Sequence, residues 1–192
     1  CESSSYDLVI KNGKVFDGSG AESKTVDIAI IGNTIIKVGK INSEKSTRVI
    51  DASGLIVSPG FIDTHAHLDP MDNFIKLSDS ESHVRQGVTT SFGGPDGRGV
   101  PLKYGFKQYL DTIEKVGVGM NVGFLTGHNK IRRLVMNLDN REPTNDELEI
   151  MKNLASKAMD EGAFGISTGL KYLPGNFSKV DEVIAISKEI SN

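Results

Sequence analysis

The chain has 192 residues, of which 38% are hydrophobic and 24% are charged, a composition typical of a folded globular protein. Its formal net charge is −3 and its Lys and Arg residues are scattered along the sequence, so we expect no nucleic acid as a partner. No apolar run approaches the roughly 20 residues that cross a bilayer, so no transmembrane segment is predicted.

The first residue, Cys1, is the only cysteine, so no disulfide can form within the chain. A cysteine followed by Glu2 and three serines is typical of the start of a mature bacterial lipoprotein, in which the cysteine carries the lipid. An arbitrary boundary within a longer protein explains the same residues equally well. We therefore expect a bacterial protein that is either cytoplasmic, or periplasmic and lipid-anchored through Cys1, and the sequence leaves its oligomeric state open.

Residues 1–58 are predicted to form the N-terminal part of a small β-sandwich. Short segments rich in Val and Ile alternate there with turn signals. Gly32-Asn33 between two apolar runs predicts a hairpin, and Asn12-Gly13 is interpreted as a turn between two strands. The predicted strands cover residues 6–10, 14–16, 26–31, 34–38 and 48–51.

From residue 59 onward, strand-like and helix-like segments alternate, which is typical of a parallel sheet. The best helix signal is a capping box that begins at Thr144 and includes Glu147. Strands are predicted over 61–65, 88–92, 120–126 and 163–168. Helices are predicted over 73–86 and 105–116, then in segments that end near residue 161, and finally over 179–191.

Residues 59–192 thus hold four strand–helix units, whereas a complete (β/α)₈ barrel takes about 250 residues. We expect an α/β fold in which about the first half of a TIM barrel follows the small β-sandwich domain. Half a barrel has unpaired strand edges and an open apolar interior, so we expect the polypeptide to continue past Asn192. A doubly wound open sheet is the alternative; it needs no missing half but does not explain the β-domain.

His65 and His67 form an HxH motif after an apolar strand and a Pro-Gly turn. Alternate residues of a strand face the same side and have Cα atoms about 7 Å apart, so their two imidazoles can turn toward one metal ion. This context predicts a metal site, and the alternative is a structural pair of histidines. Asp63 is expected to orient the loop or accept an N–H, and Asp69 is expected to be solvated.

The sequence resembles the amidohydrolase superfamily and, within it, the N-acyl-D-amino-acid deacylases (D-aminoacylases). Residues 7–18 and 50–67 resemble the first hairpin and the metal strand of the superfamily, which dihydroorotases and hydantoinases share. The segments 86–90, 127–132 and 161–175 are similar to the deacylase pattern. The resemblance implies a metal-dependent-hydrolase (β/α)₈ barrel that hydrolyses small-molecule N-acyl-D-amino acids to a carboxylate and a free D-amino acid.

The resemblance also implies one or two divalent metal ions, zinc above all, that activate a water molecule and have His65 and His67 as ligands. The family usually has a cysteine ligand after the second strand, and here Asp96 stands at that place. We predict Asp96 as the third ligand, which lowers the preference for zinc, and a turn residue is the alternative. In the family pattern the remaining ligands and the general base follow on later strands, so residues 1–192 alone are expected to be inactive.

Three further side chains are predicted to contact the substrate. Tyr172, predicted to be catalytic, follows the fourth strand and would donate a hydrogen bond to the scissile carbonyl or the substrate carboxylate. His128 follows the third strand, where it either lines the pocket or is a buried histidine satisfied by backbone carbonyls. Arg98, on a Gly-rich loop near Asp96, would meet an acidic group.

Two other functions remain open at this point. A cyclic-amide hydrolase of the dihydroorotase or hydantoinase type would favour a carboxylated lysine on the fourth strand. Lys171 lies beyond the end of that predicted strand, so we predict an ordinary loop lysine. A non-catalytic relative would keep the barrel and use it as a surface for assembly.

Overall fold

The computed structural model describes residues 6–68, 78–100, 102 and 105–191. Contacts divide the chain into two compact units, Cys1–Pro59 and Gly60–Asn192. Cys1, Asp69 and the first five positions of the helix predicted over 73–86 lie outside the described residues. Of the remaining positions of that predicted helix, only Glu81–Val84 are helical.

The first unit contains one mixed five-stranded sheet within its described residues. Its strands are β1 (Tyr6–Val15), β2 (Lys24–Ile31), β3 (Thr34–Gly39), β4 (Ser46–Asp51) and β5 (Ile56–Val57). The order is β3-β2-β1-β4, and β5 also pairs with β1; β2 is antiparallel to its neighbours, whereas β4 and β5 are parallel to β1. Ile31 pairs with Thr34 across Gly32-Asn33, so the predicted hairpin is confirmed.

The turn predicted at Asn12-Gly13 is wrong, because β1 continues through it as a single strand. The register of β1 shifts between Ile10 and Gly13, and Asn12 has a φ of +60°, which marks a β-bulge. The Asp27 carboxylate accepts the N–H of Asn12 at 3.0 Å and that of Ile41 at 3.1 Å. These hydrogen bonds lower the pKa of Asp27 and hold the bulge in place.

The second unit contains parallel strands at four successive positions, which confirms the predicted strand order. Strands β6 (Phe61–Asp63), β7 (Val88–Gly93) and β8 (Asn121–Phe124) form one parallel sheet, and β9 (Thr126–Gly127) pairs in parallel with β10 (Ile166–Ser167). Leu125 alone separates β8 from β9, and its N–H donates to the Gly93 carbonyl at 3.0 Å. β7 extends one residue beyond its prediction, and the other strands of this unit are shorter than predicted.

Five α-helices lie within the described part of the second unit: α1 (Glu81–Val84), α2 (Phe106–Val116), α3 (His128–Met136), α4 (Asn145–Asp160) and α5 (Val180–Glu189). The predicted capping box of α4 is confirmed, since Thr144 Oγ1 accepts the N–H of Glu147 and the Glu147 carboxylate accepts that of Thr144. None of the helices in the described ranges has both the length and the apolarity needed to span a membrane.

Two buried clusters hold these helices against the strands. One joins α2 to β8 through residues that include Phe106, Tyr109 and Phe124. The other joins α3, α4 and α5. Its fully buried members include Ile131, Met151 and Ile186, one on each helix. This packing fixes α3, and therefore fixes the junction between β9 and α3 at the carboxyl end of the sheet.

Candidate metal centre

His65 and His67 follow β6, and Asp96 follows the neighbouring parallel strand β7, so their loops leave the sheet at the same edge. Asp96 Oδ2 lies 3.5 Å from His65 Nε2 and 3.3 Å from His67 Nε2. One ligand atom from each residue lies within 4.8 Å of the others. The Asp63 carboxylate accepts the backbone N–H of His65 at 3.0 Å and so orients this loop. The structure therefore brings the three predicted ligands together.

The geometry and the donor types of this group fit a divalent metal. Neighbouring ligands of a tetrahedral zinc ion with bonds of about 2.1 Å lie about 3.4 Å apart, close to both distances from Asp96. Two imidazoles and one carboxylate are donors that zinc and related metals accept. His65 is 62% exposed and His67 is 46% exposed, so an ion would keep open positions toward solvent. The residues could hold one metal ion with room for a further ligand.

The turn that carries Asp96 has an unusual backbone. Asp96 has a φ of +56° and Gly97 a φ of +72°, and the N–H of Arg98 donates to the Pro95 carbonyl at 3.0 Å. Aspartate tolerates the left-handed region better than most residues, because its short side chain can bond locally. Asp96 is therefore a turn residue, as the alternative interpretation held, and its carboxylate nevertheless faces the two histidines.

Ser167 on β10 holds this turn from the fourth strand. Its hydroxyl donates to the Gly94 carbonyl at 2.5 Å and accepts the N–H of Gly97 at 3.0 Å. The sequence analysis missed Ser167, because its partners lie 70 or more positions earlier in the chain and no local pattern marks the contact.

Asn129 ties the start of α3 to the loop that carries Tyr172. Its Nδ2 donates to the carbonyls of Gly169 at 2.9 Å and Tyr172 at 3.2 Å, and its Oδ1 accepts the N–H of Gly169 at 3.2 Å. A Cβ atom at Gly97 would collide with the same side chain, so Asn129 also packs against the Asp96 turn. Asn129 is buried and was not predicted as a site residue.

We expect Asn129→Ala to loosen the loop after β10. The variant leaves the N–H and carbonyl of Gly169 and the carbonyl of Tyr172 without these partners, at about 1 kcal/mol for each hydrogen bond. Hydrogen exchange measured by mass spectrometry should therefore become faster at the Gly169 amide. Asn153→Ala, at an exposed position of α4, is the matched control. Unchanged exchange at Gly169 would show that Asn129 does not hold the loop.

A cavity of about 240 Å³ adjoins the metal-binding group. Tyr172 and Arg98, both predicted to contact substrate, line it together with Asp96. The full lining consists of Asp96, Gly97, Arg98, Asn129, Lys130, Arg133, Tyr172, Leu173 and Pro174. Lys171 is exposed, lies four positions past the end of β10 and does not line this cavity, so the geometry gives no support for a bridging lysine.

The structure corrects the expectation that His128 lines the pocket. His128 is 1% exposed, and its Nε2 lies 2.8 Å from Oε1 of the buried Glu182. Arg132 pairs with the other oxygen of Glu182 and donates to the carbonyls of Asp139 and Arg141. The partner of Nε2 is a carboxylate and not a backbone carbonyl as the alternative foresaw, and Nδ1 is buried without a hydrogen-bond partner among the described residues. His128 is inaccessible to substrate, because α3 begins at this residue and turns the side chain into the interior.

Comparison with known proteins places these features in a family. A model of the amidohydrolase family matches residues 48–182. The chain is similar to a D-aminoacylase of Alcaligenes xylosoxydans xylosoxydans, with 30% identity over 99% of this chain and 43% of the relative. It therefore spans about two fifths of the length of such relatives.

Two solved structures resemble the fold closely. One is a crystal structure of a D-aminoacylase, with a TM-score of 0.86 and 32% identity over 96% of this chain and 43% of that chain. The other is an N-acyl-D-glutamate deacylase from Bordetella bronchiseptica complexed with zinc and a phosphonate inhibitor. Its TM-score is 0.89, and it is 29% identical over 97% of this chain and 43% of that chain. These likenesses confirm the predicted fold, part of an amidohydrolase TIM barrel, over the doubly wound alternative. The chain belongs to the amidohydrolase family.

Proposed function

We propose that the protein is a metal-dependent hydrolase of linear amides that deacylates N-acyl-D-amino acids. The observation that carries the proposal is the convergence of His65, His67 and Asp96 at the carboxyl ends of two adjacent parallel strands. Relatives named D-aminoacylase, N-acyl-D-glutamate deacylase and N-acyl-D-aspartate deacylase support the substrate class. In the proposed organisation, residues 59–192 are the barrel part that carries the site and residues 1–58 belong to the β-domain.

The roles of the residues follow from their positions. A divalent ion, which we propose to be zinc, would polarise the acyl carbonyl and lower the pKa of water when bound by His65, His67 and Asp96. Tyr172 lines the adjoining cavity and would donate its hydroxyl hydrogen to the carbonyl oxygen, where negative charge develops during the reaction. Ser167 and Asn129 fix the loops that carry Asp96 and Tyr172, which would hold the metal site and the Tyr172 hydroxyl at a constant distance from each other.

We expect the intact protein, expressed from its complete gene and purified without chelators, to hydrolyse N-acetyl-D-methionine and not its L-enantiomer. Tyr172→Phe should lower kcat by about 100-fold, the usual loss for one hydrogen-bond donor to a developing oxyanion. Tyr6→Phe, in the first unit, is the matched control and should keep full activity. Ring opening of dihydroorotate or a hydantoin without any deacylation would contradict the proposal.

A further inference from the structure

The cavity beside Asp96 has a charge opposite to that of the chain as a whole. Three of its lining side chains are cationic, namely Arg98, Lys130 and Arg133, and Asp96 is the one acidic residue among those that line it. The chain carries a formal net charge of −3. A concave surface with a local excess of positive charge concentrates anions and strengthens their binding. The cavity is therefore suited to an anionic group.

The cations are attached to well-fixed backbone. Lys130 and Arg133 are three positions apart on α3 and so project from the same side of the helix. Between them lie Ile131 and Arg132, each 0% exposed, so the helix cannot rotate without breaking its core contacts. The N–H of Lys130 also donates to the Gly97 carbonyl at 3.2 Å, which ties the helix to the turn that carries Arg98 and Asp96.

Two of these cations have their charges available. Within the described part of the chain, neither the Lys130 ammonium nor the Arg133 guanidinium takes part in an ion pair or hydrogen bond. Elsewhere on the surface of the same unit, cations such as Lys107, Arg141 and Lys152 are paired with carboxylates. Two unpaired cations three positions apart repel each other, so a bound anion would relieve an unfavourable interaction.

We propose that this cavity binds a side-chain carboxylate of the substrate, so that the preferred substrates are N-acyl amino acids with an acidic side chain. The inference rests on the proposed deacylase function. Asp96 places one wall of the cavity at the metal-binding group, so a substrate whose amide lies there can extend its side chain toward Lys130 and Arg133. A volume of about 240 Å³ has room for a carboxylate and its methylene groups. The two unpaired cations, Lys130 and Arg133, carry more positive charge than a single α-carboxylate would balance, so they suit a substrate with a second carboxylate on its side chain.

The test compares two substrates that differ only in side-chain charge, N-acetyl-D-glutamate and N-acetyl-D-glutamine. The intact protein should have the higher kcat/KM for the glutamate compound. Lys130→Met and Arg133→Met should each lower the ratio of the two kcat/KM values about tenfold, which corresponds to about 1.4 kcal/mol. Lys171→Met is the matched control, because Lys171 lies on the loop that carries Tyr172 but is exposed and does not line the cavity, and it should leave the ratio unchanged.

Other outcomes separate this inference from the function on which it rests. If Lys130→Met and Arg133→Met weaken both substrates equally, the cavity binds the α-carboxylate and the inference is overturned. A preference of the intact protein for the glutamine compound would overturn it as well. Hydrolysis of N-acetyl-D-methionine but of neither of these two compounds would overturn the inference and leave the deacylase function standing. Hydrolysis of none of the three would contradict the deacylase function. In that case, titration calorimetry with N-acetyl-D-glutamate still tests whether the cavity binds the side-chain carboxylate. Binding should weaken about tenfold in Arg133→Met and not in Lys171→Met.

Discussion

Asp96→Ala should lower the affinity of the intact protein for a divalent metal by at least about 100-fold, since even residues that only orient ligands contribute 10–100-fold. The reason is geometric, because Asp96 Oδ2 is the atom that lies within 3.5 Å of both histidine Nε2 atoms. Without it, the described part of the site keeps only two exposed imidazoles, which lack the negative charge that balances a divalent cation. Equilibrium dialysis against zinc, with metal content read by atomic emission, measures the change.

Two further variants make this prediction specific. Asp160→Ala removes an exposed carboxylate at the end of α4 and should bind zinc as the unmodified protein does. Asp96→Cys should retain the site and raise its preference for zinc over manganese, since thiolate is a softer ligand than carboxylate. Retention of full zinc affinity in Asp96→Ala would show that Asp96 is not a ligand.

Glu182→Gln should lower the free energy of unfolding by about 3–5 kcal/mol, the usual cost of breaking a buried ion pair. Glu182 is 4% exposed, its partner Arg132 is 0% exposed, and His128 bonds to its other oxygen. Removal of the carboxylate charge leaves a buried guanidinium uncompensated between α3 and α5. Urea denaturation followed by circular dichroism measures the loss. Asp181→Asn, at the exposed neighbouring position, should change stability little.

The same pair gives a pH dependence with a definite sign. Burial by itself raises the pKa of Glu182, but the hydrogen bonds and positive charge of His128 and Arg132 outweigh it and hold this pKa below the usual 4.5. A lowered pKa contributes stability above the unfolded-state value and loses it as the pH falls through the folded-state value. The difference between the unmodified protein and Glu182→Gln should therefore shrink as the pH falls below about 4.5. A difference that grows on acidification would contradict this assignment.

Local patterns in the sequence predicted much of the fold. The Thr144–Glu147 capping box and the Gly32-Asn33 hairpin depend on residues a few positions apart, so each could be interpreted within its own segment. Alternation of apolar strands and helices gave the parallel order of the second unit. The prediction failed at Asn12-Gly13, because a left-handed residue is compatible with both a turn and a bulge. Only the pairing of β1 with other strands distinguishes them.

The sequence by itself determined which kinds of ligand side chain the site contains. An HxH motif at a strand end and an aspartate after the next strand can both be recognised without a structure. Tertiary structure alone decided which side chains meet. It placed Ser167 and Asn129 against the loops of Asp96 and Tyr172, and it buried His128 against Glu182, 54 positions away. Such contacts depend on how parallel strands stack and how α3 is oriented by its core packing, and neither property is encoded in any one segment.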